Sequence, residues 1–156
     1  MNPECKRSAP VKHASKSRQH ILVHILAIGD THGCLSSLLH LEQLVPVRPD
    51  DLVVNLGDYV NRGPRSKEVI DWLIAREATG QLVPLRGNHV TILLQARQVV
   101  HELQCLLDVD GAATLQSYAS PQSPGRLADI PREHWEFVER TRSHHETATH
   151  AVVVLQ

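Results

Sequence analysis

Aromatic side chains are scarce in this 156-residue chain: two Trp, two Tyr and one Phe amount to 3%. A core of ordinary density must then be aliphatic, built from Leu, Ile, Val and Ala, as in α/β proteins. Cysteine is equally sparse. Cys5, Cys34 and Cys105 are odd in number and too scattered for a disulfide framework or a CxxC metal site, which fits a reducing cytoplasm. A surplus of either charge is missing too, with 16 Lys and Arg against 17 Asp and Glu, so there is no electrostatic footprint for nucleic acid or a membrane surface. No apolar run approaches the ~18 residues of a membrane span, and no long apolar stretch precedes a cleavage site at the N-terminus. A soluble cytoplasmic protein is expected. The length suits one domain, which buries roughly two-thirds of its unfolded surface.

What is present divides into two parts. Residues 1–20 hold two prolines and five Lys or Arg with almost no apolar residue, the composition of a disordered basic arm. From Ile21 to Gln156 the pattern is that of a folded domain. ILVHILAIGD reads as a central strand covered on both faces. CLSSLLHLEQLV sets Leu35, Leu38, Leu39, Leu41 and Val45 at helical spacing, and DLVVNLGD is a second strand. SKEVIDWLIAREA carries Val69, Ile70, Leu73 and Ile74 on one helical stripe before Gly80 breaks it. QLVPLRGNH is a third strand, irregular or near an edge because of Pro84. This β-α-β-α-β order with short connections predicts parallel strands. Beyond it, VTILLQARQVVHELQCLL reads as one helix, DGAATLQSYA as a short second helix, SPQSPG as a loop and PREHWEFVERT as a helix with Trp135 and Val138 on one face. The closing ATHAVVVLQ has the β-branched apolar run of a buried strand.

Each of the first three strands ends in Gly beside polar residues: GDTHG (29–33), GDYVNRG (57–63) and GNH (87–89). In a parallel sheet, ligands bind outside the carboxyl ends of the strands, so these loops should converge. Asp30 and His32, two residues apart in extended chain, would project to one side and hold a single ion. Asp58, Asn88 and His89 complete an O/N donor set that suits Mn, Fe or Zn better than a calcium cage. Alone, Gly-Asp after a strand is a turn and Asn-His at a helix start is a cap. Three such loops, spaced 28 and 30 residues apart from Asp30 to Asp58 to Asn88, point jointly to a site.

The blocks GDTHG, GDYVNRG and RGNH resemble the N-terminal signatures of the calcineurin-like metallophosphoesterases, in the branch of bacterial serine/threonine protein phosphatases and diadenosine tetraphosphatases. LADIPREHWEFVERT and ETATH resemble the middle of those enzymes. The resemblance implies an α/β metallophosphoesterase β-sandwich flanked by helices, with its N-terminal part present and most of its second sheet missing. It implies two divalent ions, manganese foremost with iron or zinc as alternatives. Asp30 and His32 would bind the first ion, Asp58 would bridge both, and Asn88 would bind the second. His89 would be the general acid and Arg62 would hold the phosphate. The implied reaction is attack of a metal-activated water on phosphorus, in a phosphoprotein or a dinucleoside polyphosphate. Arg86 lies close by and reads equally as structural.

Three positions depart from the family pattern. Asn61 stands where most relatives have Asp paired with the histidine at position 89, which should lower the pKa of His89 and weaken it as a proton donor. Val90 replaces a usual Glu. Val154 falls where a metal-ligating histidine would follow His150, and the chain ends before two further histidine ligands of the family. The sequence therefore reads as a shortened domain, with a non-catalytic remnant or phosphate-binding module as the alternative function. Its AVVVL edge is expected to promote self-association. Of the remaining histidines, His144, His145 and His150 are expected at the surface. His24 and His40 should pack or face solvent, and His101 and His134 should lie on polar helix faces.

Overall fold

The second strand organises the fold. In the computed structural model, which describes residues 24–154, β2 (Leu52–Asn55) lies between β1 (Ile25–Ile28) and β3 (Leu82–Pro84), both parallel to it. The expected basic arm, the first three residues of the first expected strand and the last two residues of the chain lie outside the described part. Register pairs Leu26 with Val53 and Val53 with Leu82, then Ala27 with Val54 and Val54 with Val83. Because side chains alternate along a strand, this register sorts the sheet into two faces. Val53 and Leu82 belong to the larger core with the helices, while Val54, Val83 and Leu85 form a smaller one on the other side.

The connections are α1 (Leu35–Leu44) between β1 and β2, and α2 (Ser66–Ala78) between β2 and β3. Val69, Ile70 and Leu73 of α2 are buried and Ile74 packs against them. Gly80 at φ 76° follows the helix, a left-handed conformation that costs glycine little. On α1 only Leu35 and Leu38 of the expected stripe are buried; Leu39, Leu41 and Val45 are exposed. The reason is the neighbour: among the described residues β1 is an edge strand, not the central strand its apolar run predicted, so α1 has sheet beneath only part of its surface. Pro84 sits on the opposite edge, as expected, where its missing N–H removes little pairing.

The single helix expected after His89 is two: α3 (Asn88–Gln98) and α4 (Glu102–Asp108). Val99 is extended (φ −134°, ψ 117°) and breaks the run. Two adjacent β-branched residues at 99 and 100 favour that break. Then come α5 (Gly111–Ser117), a 3-10 turn at Leu127–Asp129 and α6 (Arg132–Glu139), which buries Trp135, Phe137 and Val138. Arg86 is structural. Its guanidinium donates to the carbonyls of Glu139 (2.6 Å) and Thr141 (3.1 Å), which closes the C-terminal end of α6.

Two expectations fail here. His134 is buried, not on a polar face: it shares the apolar side of α6 at positions 134, 135, 137 and 138. Its ring nitrogens are met by Tyr118 Oη and Asp71 Oδ1, each at 2.9 Å. Burial holds the Tyr118 phenol well above its usual pKa. The closing run is not a buried strand either. It forms an antiparallel hairpin, β4 (His144–Glu146) with β5 (Ala151–Val153), in which Val153 is 60% exposed. Val152 and Val154 pack against the small core, so among the described residues only one side of the ribbon has cover. Among the described residues no helix is long and apolar enough to cross a membrane.

Candidate metal centre

The carboxyl ends of the three strands lead into loops joined by backbone hydrogen bonds. His32 N–H donates to Asp58 O (2.8 Å), Gly33 N–H to Tyr59 O (2.8 Å), and Gly63 N–H to His32 O (2.9 Å). The first two loops are thus one unit. The third is joined to them by His89 N–H, which donates to Asp58 Oδ1 at 2.9 Å, and by the Tyr59 hydroxyl, which donates to Leu85 O. Close approach depends on glycine at the crossing points. A Cβ on Gly87 would sit 2.1 Å from Asp58 Oδ1, and one on Gly63 would sit 2.2 Å from His32 O.

The backbone here is strained. Asp30 (φ 41°), His32 (42°), Asp58 (52°), Asn61 (70°) and Arg62 (64°) all occupy the left-handed region. Each such non-glycine residue costs on the order of 1–3 kcal/mol, and clusters of them mark functional loops. The extended chain expected between Asp30 and His32 is therefore replaced by a turn. Their side chains are not brought to one point by alternation.

The structure brings together His32, Asp58 and His89. One donor atom from each lies within 4.8 Å of the other two. The His32 and His89 rings meet edge to face with centroids 4.7 Å apart. His32 Nδ1 is 2.9 Å from Val60 O, so its Nδ1–H is bound to a carbonyl and its Nε2 is left as a lone-pair donor. His89 Nδ1 is 2.9 Å from Asn61 Nδ2, and its Nε2 is 3.5 Å from Arg62 Nη2. Burial pulls the His89 imidazole below the ordinary value of 6.5; Asp58 opposes that shift and His32 and Arg62 add to it.

The remaining sequence candidates sit around this group. Asp30 is exposed and outside the set of three, though its charge still reaches His89. Asn88 is the exposed first residue of α3, and Arg62 is exposed beside His89. His144 and His150 are exposed on the hairpin, as expected, whereas His145 is half-buried with its Nε2 enclosed. A carboxylate and an imidazole nitrogen with its other nitrogen already bonded suit one divalent transition ion at His32 and Asp58. Sequence reasoning missed Thr114 and Ser66, fully buried hydroxyls that reach the site from α5 and α2. No local pattern announces them, since Thr in a short helix and Ser at a helix start are ordinary.

A family model for the calcineurin-like phosphoesterases matches residues 23–139. The symmetrical bis(5'-nucleosyl)-tetraphosphatase of Thioalkalivibrio sulfidiphilus is 35% identical over 121 residues, which is 73% of this chain and 43% of that protein. Serine/threonine-protein phosphatase 1 of Salmonella typhimurium is 37% identical over 75 residues, 47% of this chain and 33% of that protein. The crystal structure of a metallophosphoesterase from Sphaerobacter thermophilus matches with a TM-score of 0.51 at 22% identity, over 80% of this chain and 44% of that one, a likeness of fold. The chain spans less than half the length of each of these relatives.

Proposed function

The chain belongs to the calcineurin-like phosphoesterase family, and from that premise we propose that it is a metal-dependent hydrolase of phosphate esters or anhydrides. The observation that carries the proposal is the convergence of His32, Asp58 and His89 donor atoms within 4.8 Å at the carboxyl edge of a parallel sheet. His32 Nε2 and Asp58 would hold one divalent ion, manganese in first place. Asp58 with Asn88 would hold a second, and Asp30 would join the first. Bound there, the ions would supply Lewis-acid stabilisation of phosphoryl oxygens and a nucleophilic water at neutral pH.

The chain's own residues do the rest. Arg62, exposed beside His89, offers a planar fork of donors to a phosphate group. His89 Nε2 faces the same cleft and donates to an oxygen of the bound substrate. The left-handed backbone at Asn61 and Arg62 supports a preset position for the Arg62 fork before substrate arrives. A relative named as a bis(5'-nucleosyl)-tetraphosphatase and another named as a serine/threonine phosphatase support dinucleoside polyphosphates and phosphoproteins as substrate classes.

The test is calorimetric titration with Mn(II), followed on the same sample by turnover of a chromogenic phosphate ester, diadenosine tetraphosphate and a phosphopeptide. Saturable binding with metal-dependent turnover of one of them is expected. Absence of Mn(II), Fe(II) and Zn(II) binding would refute the proposal.

A further inference from the structure

A directed chain of buried hydrogen bonds ends on His89. Thr114 Oγ1 lies 2.8 Å from Asn61 Oδ1, 2.7 Å from Asn61 N and 3.2 Å from Ser66 Oγ. Thr114, Asn61 and Ser66 each have 0% exposure, so water cannot substitute for any of these partners. A threonine hydroxyl has one proton to give and two lone pairs to receive with. The backbone N–H of Asn61 occupies one lone pair.

Two arrangements of the Asn61 amide are then conceivable, and they differ at Ser66. With Oδ1 toward Thr114, the Thr114 proton goes to Asn61 and the Ser66 hydroxyl donates to the remaining lone pair. Every polar atom is used. With the amide reversed, Asn61 Nδ2 would donate to Thr114, which would turn its own proton on Ser66. The Ser66 hydroxyl hydrogen would be left without an acceptor among the described residues, a penalty that buried polar groups avoid. The first arrangement is the satisfied one. It presents Asn61 Nδ2–H to His89 Nδ1 at 2.9 Å, and that nitrogen must accept.

We infer that Thr114, oriented by Ser66, is a positioning residue that fixes the Asn61 amide and thereby holds neutral His89 as the Nε2–H tautomer, a hydrogen-bond donor aimed into the cleft. Arg62 Nη2 stands 3.5 Å from Nε2, and since a guanidinium only donates, this contact competes for the bare nitrogen; the shorter, buried 2.9 Å bond from Asn61 is the stronger claim on it. With Nε2 protonated, the imidazole and guanidinium N–H groups are both left to donate to a phosphoryl or leaving-group oxygen of a substrate. The protonated Nε2 also removes His89 from the metal-ligand set, although its ring lies within reach of an ion shared by His32 and Asp58. This assignment of purpose rests on the phosphoesterase reading; the tautomer does not.

The tautomer is read directly from long-range proton–nitrogen NMR spectra of the full 156-residue chain labelled with nitrogen-15, well above the ordinary histidine pKa of about 6.5. The His89 signals are identified by their loss in His89→Gln. The expected wild-type pattern is protonated Nε2 with bare Nδ1. Thr114→Val and Ser66→Ala should each give a mixed or Nδ1–H pattern, Thr114→Ser should restore the wild type, and Asn61→Asp should move the proton to Nδ1. A wild-type His89 protonated at Nδ1 overturns the inference whatever the variants do, as does an unchanged Nε2–H pattern in both Thr114→Val and Ser66→Ala. Since no substrate or metal is added, failure of the hydrolase proposal would leave this result standing, and the reverse also holds.

Discussion

Asp58 Oδ1 accepts the backbone N–H of His89 at 2.9 Å, so a carboxylate from the second strand-end loop caps the start of α3, a helix that lacks a cap from its own N-terminal side chains. The bond satisfies one of the orphan amides of a helix start and places negative charge at the positive end of the helix dipole. One side chain thereby joins the second and third loops and also belongs to the cluster of three donors.

Separating those two roles of Asp58 is the first test. Asp58→Ala should cost about 1–2 kcal/mol of stability through loss of the cap, measured by urea denaturation. Asp58→Asn retains a carbonyl acceptor and should keep most of that stability, yet lose roughly 10–100-fold or more in Mn(II) affinity by calorimetry. Equal Mn(II) affinity in Asp58→Asn and wild type would contradict the proposed ligand role.

Gly87 is the point where α3 meets that carboxylate. A methyl group there would lie 2.1 Å from Asp58 Oδ1 and must displace it. Gly87→Ala is expected to destabilise the fold by about 1–3 kcal/mol and to impair Mn(II) binding together with it. Gly80→Ala is the control. No atom lies within 4 Å of its added Cβ, and only backbone strain at φ 76° should be felt.

The acid dependence of stability follows from His89. Burial holds its pKa below 6.5, so in acid the unfolded chain takes up the proton more readily than the folded one. Above pH 6.5 both states carry neutral His89 and the group contributes no pH dependence. As pH falls through 6.5 the folded state loses stability, and the loss levels off below the folded pKa. Urea midpoints across this range should fall less steeply in His89→Gln than in wild type. Asn61→Asp should raise the His89 pKa by placing a carboxylate on Nδ1, and it should raise turnover near neutral pH if His89 delivers a proton there. Reduced turnover in that variant would count against the proton-donor role.

Two buried hydrogen bonds on His134 should be measurable in stability alone. His134→Leu keeps bulk on the inner face of α6 but leaves the Tyr118 hydroxyl without its 2.9 Å partner. A cost of about 1–3 kcal/mol is expected, with Mn(II) affinity unchanged because His134 is not among the clustered donors.

Self-association through the hairpin is expected at micromolar concentration, since among the described residues β5 has a partner on one side only and Val153 is 60% exposed. Val153→Lys should shift sedimentation toward monomer without loss of stability. Val154→Lys should instead destabilise, because Val154 packs against the small core. A wild-type chain that sediments as monomer at all such concentrations would refute the expectation.

The amino-acid sequence by itself determined the parallel β-α-β-α-β order and the convergence of three glycine-bounded loops, because both follow from short-range signals: apolar periodicity, helix breakers and residues at strand ends. It also marked the strand at Pro84 as irregular or near an edge, since a missing N–H is a local property. Tertiary structure alone decided which strand is central, because the apolar run at Ile25–Ile28 looks the same whether one neighbour pairs with it or two. It decided that ATHAVVV makes a half-covered hairpin and that His134 lies inside, since the cover of a strand and the partners of an imidazole come from residues distant in the chain. Above all it decided the state of His89. Asn61 could be read beside it in the family pattern, but the direction of that amide is set by Thr114 and Ser66, 53 positions away from Asn61 in one case and on another helix in the other. Hydrogen-bond direction is a property of the closed network of donors and acceptors, and such a network exists only once the chain has folded.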